Sequence, residues 1–518
     1  MKKIFILLTA SVLSFTACNK DLDRFPTNEV TSAVVYSTPQ GYIQAAAKVY
    51  GAFALTGNEG PAGNKDIQGI DEGFSDFLRL YWTAQELSTD EAVIAWGDAG
   101  IQDFHNMNWS SSNDFLTGLY YRSMFQITLA NDFINQASDG KLSSRGITGA
   151  DATNIAAFRN EARFLRAYQY WVLMDLYGNP PFADENYVIG SVALPAQIKR
   201  ADLFAYIEKE LKDLENLLPN AKTNEYGRAD KAAAWALLAR LYLNAQVYTG
   251  TARWNDAATY SKKVIDAGYS LIPNYGNLML ADNQKNTSEF ILTINYDGAK
   301  TQSYGGTTFL VHAAVGGSMS AGSFGIDGGW GGTRTTKALV NKFGAGDKRA
   351  QFYTSGQSLE IGDQTKFIDG YAVTKFKNVT STGAAGSNVT FTDIDFPIFR
   401  LAEQYLIYAE AVKRGGAGDA TAALNYVNLL RARAGAPAIT SGDLTTDFVL
   451  DERARELYWE GFRRTDLIRY GKFTTNAYLW PWKGGVAGGT SVADFRNLYP
   501  IPSADKNANP SLNQNPGY

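Results

Sequence analysis

Reactive side chains are scarce in this sequence. Its 518 residues hold one cysteine, Cys18, and two histidines, His105 and His312. A single cysteine excludes an intramolecular disulfide. The histidines stand in no paired metal-ligand spacing, so no metal and no other cofactor is expected. No Gly-x-Ser-x-Gly elbow occurs, which removes a common nucleophile of acyl transfer. The glycine-rich run from Gly57 to Lys65 has the wrong spacing for a phosphate loop, and no Ser or Thr follows its lysine. Excess charge is lacking too: 48 Lys and Arg against 52 Asp and Glu leave a net charge of −4, with no basic field to hold nucleic acid or an anionic membrane surface. Glycoside hydrolysis needs only two carboxylates and stays open, with Asp71-Glu72 and Asp90-Glu91 as the nearest candidates.

Apolar and aromatic residues are plentiful. A hydrophobic content of 45% supports a large core, and 29 Tyr with 10 Trp supply either dense aromatic helix contacts or surfaces that stack flat ligands. The N-terminus has two lysines, an apolar run, and small residues before Cys18. This is a secretory signal over 1–17, too short to span a bilayer. Cys18 follows Thr16 and Ala17 as in a bacterial lipobox and is expected to carry lipid.

Helical periodicity recurs down the chain. Thr38 as N-cap and Pro39 in the first turn open a helix over 38–53. Residues 71–109, with Arg79, Trp82, Trp96 and Trp109, read as loop. Helices are expected over 115–137, 158–177 and 201–218. The pair over 232–246 with 254–267 has small Ala239, Ala257 and Ala258 where its helices approach, the pattern of tetratricopeptide-type repeats, and a second pair over 401–412 with 423–434 follows the same logic. Residues 270–395 lose that periodicity, apart from a strand over 290–296 and a short helix over 335–343. Long ordered loops of this kind are usually functional, and residues 474–500 form a smaller insertion.

The stretch 451–473 reads as one amphipathic helix, with Leu450, Ala454, Leu457, Tyr458, Gly461 and Phe462 on its apolar side. Glu452, Glu456 and Glu460 repeat at i, i+4, which repels unless cations intervene. Arg453, Arg455, Arg463 and Arg464 are in reach, and Asp466 and Arg469 continue the alternation. A partly buried ion-pair scaffold is expected here rather than a catalytic carboxylate pair.

Four segments carry a resemblance. Glu452-Arg-Ala-Arg-Glu-Leu, Glu460-Gly-Phe-Arg-Arg-Thr-Asp-Leu-Ile-Arg and the closing Ile501-to-Tyr518 segment resemble signatures of the SusD/RagB family. Glu161-Ala-Arg-Phe-Leu-Arg-Ala, followed by the Tyr177-Gly178 turn and prolines, is similar to another. Members are nutrient-uptake lipoproteins on the outer membrane of Bacteroidetes-type bacteria. The resemblance implies a mainly α fold of four tetratricopeptide-like helix pairs with long irregular loops and a few short strands. It divides the mature chain into halves, 18–225 and 226–518, with the irregular insertion in the second. It also implies a non-enzymatic protein, lipid-anchored at the outer membrane through Cys18 and facing outward, that captures a glycan for a SusC-like TonB-dependent transporter. Trp96 and Trp330 would be the stacking platforms, Tyr296 or Tyr304 a third, and Asp71 and Arg79 the hydroxyl partners. A stand-alone adhesion or assembly protein using the repeat surface for protein partners is the alternative.

Overall fold

Caps ahead of apolar stripes set most of the helices. The computed structural model describes residues 32–518 apart from 62, 64, 189, 190 and 192; the signal and Cys18 lie outside the described residues. Thr38 accepts the Gly41 N–H and Pro39 occupies the first turn of α1 (Pro39–Gly51). Asp76 accepts the Arg79 N–H to start α2 (Phe77–Glu86) inside the stretch read as loop. All of α2 except Arg79 is buried, so it shows no polar face for periodicity to register. Asn113 caps α3 (Asp114–Gln136), which packs along α4 (Gly149–Tyr177), and α4 along α5 (Arg200–Leu214). Asp230 accepts the N–H groups of Ala232 and Ala233 at the head of α6 (Lys231–Leu243), which packs on α7 (Trp254–Ile265). Ala239, Ala257 and Ala258 are buried at this contact, as their small size requires.

The irregular insertion contains a short buried helix, α8 (Gly306–His312), absent from the sequence reading. Its Thr and Gly content gives no amphipathic signal. Beyond the insertion come α9 (Leu401–Lys413), α10 (Ala420–Ala434), α11 (Thr446–Leu457) and α12 (Arg463–Arg469). α9 packs against α7, α10 and α11, so the row of helices is continuous across the insertion. The fold is mainly helical, as expected. Among the described residues the strands are short: β1 (Val93–Ile94), β2 (Phe290–Ile294), β3 (Thr333–Arg334), β4 (Phe352–Tyr353), β5 (Ala372–Val373) and β6 (Phe396–Arg400). They pair antiparallel as β1 with β3, β2 with β6 and β4 with β5.

The 451–473 segment is two helices, not one. α11 ends at Leu457, and Trp459 and Gly461 take left-handed φ of 65° and 82° before α12. Glycine is required at 461, where a Cβ would lie 2.6 Å from the Tyr81 ring. The ion-pair network is present, its carboxylates are buried, and most of its cations come from elsewhere. Arg349 reaches Glu452 at 2.8 Å and Glu456 at 3.3 Å; Arg400 reaches Glu456 and Glu460 at 2.7 Å and Glu289 at 3.0 Å. Lys375 lies 2.6 Å from Glu460, and Arg433 bridges Glu289 and Glu456. Of the local arginines only Arg455 meets this series, at Glu452; Arg453 pairs with Asp466, Arg463 with Asp90, and Arg464 donates to the carbonyls of Arg496 and Asn497. The C-terminal tail closes the row of helices: Asn515 donates to Tyr177 O and Tyr499 O, Asp505 accepts from Tyr120 OH, and Tyr518 OH accepts from Trp109 Nε1.

Candidate functional site

Two tryptophans far apart in sequence meet beside a sheet of only two residue pairs. Val93 and Ile94 of β1 pair with Arg334 and Thr333 of β3. The pairing runs on past the strands: Ala95 N–H donates to Gly332 O at 2.8 Å and Trp96 Nε1 donates to Trp330 O at 3.1 Å. The two indoles lie with centroids 6.3 Å apart and planes inclined at 43°. A Cβ at residue 332 would stand 2.5 Å from the Trp96 ring, so only glycine lets the two approach. The other side of β1 is held by Gln102, whose amide donates to Ile94 O and Trp96 O, and by His105, whose Nε2 accepts the Ile94 N–H at 3.0 Å. Burial, with help from nearby Arg334, pushes His105 down to about 3, which keeps that nitrogen a neutral acceptor.

Tyr304 extends the face. Its ring centroid lies 6.4 Å from that of Trp330, inclined at 54°, and 5.5 Å from Phe391. Tyr304 is 37% exposed, and both tryptophans are half-buried. Arg79 of α2 ties the pieces together: Nη1 donates to Gly73 O at 2.6 Å and Tyr304 O at 3.1 Å, and the guanidinium lies 5.6 Å from the Trp96 centroid and 4.7 Å from that of Phe309. Burial lowers its pKa to about 10 against the pull of Asp98, Asp76 and Asp71, so it stays cationic at neutral pH. Asp71 is exposed at the edge, its carboxylate accepting the Gly73 N–H at 2.7 Å. Trp96, Trp330, Tyr304, Arg79 and Asp71 thus converge.

Tyr296 does not join them. It is 6% exposed, drawn inward by its N–H bond to Asp395, and packs so closely on Gly306 that a Cβ there would lie 2.4 Å from its ring. Of the two tyrosines read from the sequence, Tyr304 offers a face and Tyr296 is core.

Asp76 and Phe391 belong to the assembly and were missed. Asp76 Oδ1 accepts both the Arg79 N–H, at 2.9 Å, and the Gly306 N–H, at 2.7 Å, so it joins the base of α2 to the turn that carries Tyr304. Burial raises its carboxyl to about 6 despite those bonds. Recognising Asp76 as an N-cap would have revealed it; nothing local marks Phe391.

Of the carboxylates considered for hydrolysis, all but Asp71 are engaged elsewhere. Asp90 is held by Arg463 at 2.6 and 2.8 Å and by Tyr478 OH at 2.6 Å; burial opposes its ionisation, but Arg463 outweighs it and the carboxyl falls to about 2. Glu91 is buried and accepts the Trp459 N–H, and Glu72 accepts from Thr56. Hollows of ≈ 390 and ≈ 380 Å³ flank residues 226–228, and neither is lined by Trp96, Tyr304 or Trp330.

A row of packed helices displaying an aromatic surface patch defines a helical-repeat binding scaffold. The chain belongs to the SusD family. Residues 348–518 match the family model described as SusD family, and residues 81–243 match one described as starch-binding associating with outer membrane. Starch-binding protein SusD of Bacteroides thetaiotaomicron is 37% identical over 100% of this chain and 99% of its own length. SusD-like protein P2 of Formosa agariphila is 25% identical over 90% of this chain and 91% of its own. Among solved structures, surface glycan-binding protein A of Bacteroides thetaiotaomicron in complex with laminarihexaose superposes with a TM-score of 0.69, at 22% identity, covering 92% of this chain and 99% of that one. A SusD superfamily protein of Bacteroides vulgatus gives 0.71 at 20% identity, covering 93% and 99%. The family is one of non-catalytic binding proteins associated with the outer membrane.

Proposed function

We propose that the protein binds a starch-type α-glucan through Trp96, Trp330 and Tyr304 and hands it to a SusC-like TonB-dependent transporter. The carrying observation is the convergence of these rings with Arg79 and Asp71 at one surface. Sugars present apolar C–H faces to aromatic rings and hydroxyls to charged or amide groups, and binding them needs no nucleophile. The inclinations of 43° and 54° make the three rings a curved surface rather than a flat one. A polymer that bends from residue to residue, as α-1,4-linked glucose does, fits such a surface better than a straight β-1,4-linked ribbon. The end-to-end match to a protein named for starch binding supports the same ligand. Native electrophoresis through gels containing amylopectin is expected to retard the protein, and no new reducing ends are expected on incubation. Unretarded migration in amylopectin would sink the starch assignment, and unretarded migration in a panel of other glucans would favour a stand-alone adhesin.

We also propose lipidation at Cys18 as the anchor and the transporter as the standing partner. A Cys18→Ala variant is expected to lose label from a radioactive fatty acid and to stop co-purifying with a large β-barrel protein from detergent-solubilised outer membranes. Label retained by the variant, or wild-type protein that emerges without a barrel, overturns the respective half.

A further inference from the structure

Trp330 is held from behind by one residue of α8. The His312 ring stacks on the indole, with centroids 4.8 Å apart and planes 27° apart. His312 Nδ1 lies 2.6 Å from Gly328 O. A carbonyl only accepts, so Nδ1 bears the proton. Burial lowers the pKa of the ring, which agrees with a neutral imidazole. The His312 backbone acts on the same segment: its carbonyl accepts the Trp330 N–H at 2.7 Å. The carbonyls that follow take the rest of the strand, Ala313 O from Gly332 and Thr333 and Val315 O from Gly331. Carbonyls at a helix C-terminus lack intrahelical partners, and here the tryptophan strand fills that need.

The segment so held is rich in glycine, Gly328, Gly329, Gly331 and Gly332, with Gly331 at φ 58°. Glycines permit the close approach but give the backbone little stiffness of its own. The side-chain contacts of Trp330 therefore decide how its ring is presented, and the contact across its covered face is His312.

We propose that His312 is a positioning residue for glycan binding, which sets the tilt of the Trp330 face through its stacked ring and fixes the glycine loop through Nδ1–H to Gly328 O. The proposal rests on Trp330 belonging to the glycan-binding face. It assigns His312 no contact with sugar; the whole effect passes through Trp330.

A double-mutant cycle with maltoheptaose as titrant in calorimetry tests it. His312→Ala is expected to weaken binding about tenfold, and His312→Phe, which restores a stacked ring, to recover to within about threefold of wild type. Combined with Trp330→Ala, the His312→Ala change is expected to add nothing to the loss from Trp330→Ala alone. Near-UV circular dichroism reads the same device without ligand: the indole signal that Trp330→Ala removes is expected to shrink in His312→Ala and persist in His312→Phe. If His312→Ala does not fold, His312→Asn, which keeps a donor for Gly328 and removes the ring, takes its place with the same expectations. Wild-type affinity with an unchanged indole signal in the ring-less variant overturns the proposal, as does a further tenfold loss on top of Trp330→Ala. A wild-type protein that binds no maltoheptaose counts against the starch reading, and the dichroism comparison still decides the role of His312.

Discussion

Replacing Arg400 with methionine is expected to destabilise the protein by about 3–5 kcal/mol at neutral pH, because it leaves buried carboxylates short of a cation rather than removing a balanced pair. Arg400 is buried and reaches Glu289, Glu456 and Glu460, and its Nη2 also donates to Glu456 O at 2.8 Å. Methionine fills similar volume, so the loss measures charge and hydrogen bonding rather than a cavity. The pH dependence has a definite sign. Burial raises the Glu456 carboxyl, but Arg433, Arg400 and Arg349 together lower it further, from its ordinary 4.5 to about 2. A depressed folded pKa contributes stability that is complete above about 4.5 and is lost as pH falls toward about 2. The gap in stability between wild type and Arg400→Met is therefore expected to be widest at neutral pH and to narrow through that window. Lys337→Ala serves as a contrast. It breaks an exposed 2.7 Å pair with Glu360 and is expected to cost no more than about 1 kcal/mol. Denaturant unfolding at several pH values checks both; an Arg400→Met variant as stable as wild type at pH 7, or a gap that stays constant into acid, contradicts the argument.

The same network shows what a sequence can and cannot disclose. The i, i+4 glutamates of α11 demand cations, and that demand is legible. The suppliers are not: Arg349 and Lys375 lie in loops, Arg400 ends β6 and Arg433 lies on α10, and only tertiary packing selects them over Arg453, Arg463 and Arg464 beside the acids. Helices with a cap and one apolar stripe, such as α1, were legible with their boundaries. α2, buried nearly all round, and α8, built from Gly, Thr and a few apolar residues, were not, because periodicity reports a contrast between faces that they lack. The break between α11 and α12 turns on two left-handed residues, of which only the glycine gives warning. For the site, the residue types came from the resemblance and from the glycine-rich surroundings. Their convergence depends on a ladder of two residue pairs between β1 and β3, far too short to read from β-propensity. Choosing Tyr304 over Tyr296 needed the positions of Asp395 and Gly306.

The largest functional loss is expected from changing Trp96 and Trp330 to alanine together. A tryptophan at the centre of a contact surface is worth roughly 2 kcal/mol when truncated. Two such losses would approach a thousandfold in affinity at about 1.4 kcal/mol per decade. The rings are neighbours, with Trp96 Nε1 bonded to Trp330 O, so the single losses will not add in full and at least about a hundredfold is expected for the pair. Folding is expected to survive, since both side chains are half-buried at the surface while the helix contacts of α3 through α7 and α9 lie elsewhere. Tyr296→Phe is the matched control. Its hydroxyl is buried without a partner, so removing it is expected to leave affinity at the wild-type value and stability unchanged or slightly raised, whereas Tyr304→Ala is expected to weaken binding severalfold. Calorimetric titration with a maltooligosaccharide, alongside thermal melts, separates these outcomes. Undiminished affinity in a folded Trp96→Ala, Trp330→Ala protein would remove the binding face from this position. Weakened binding in Tyr296→Phe but not in Tyr304→Ala would move its third ring inward to the residue that packs on Gly306.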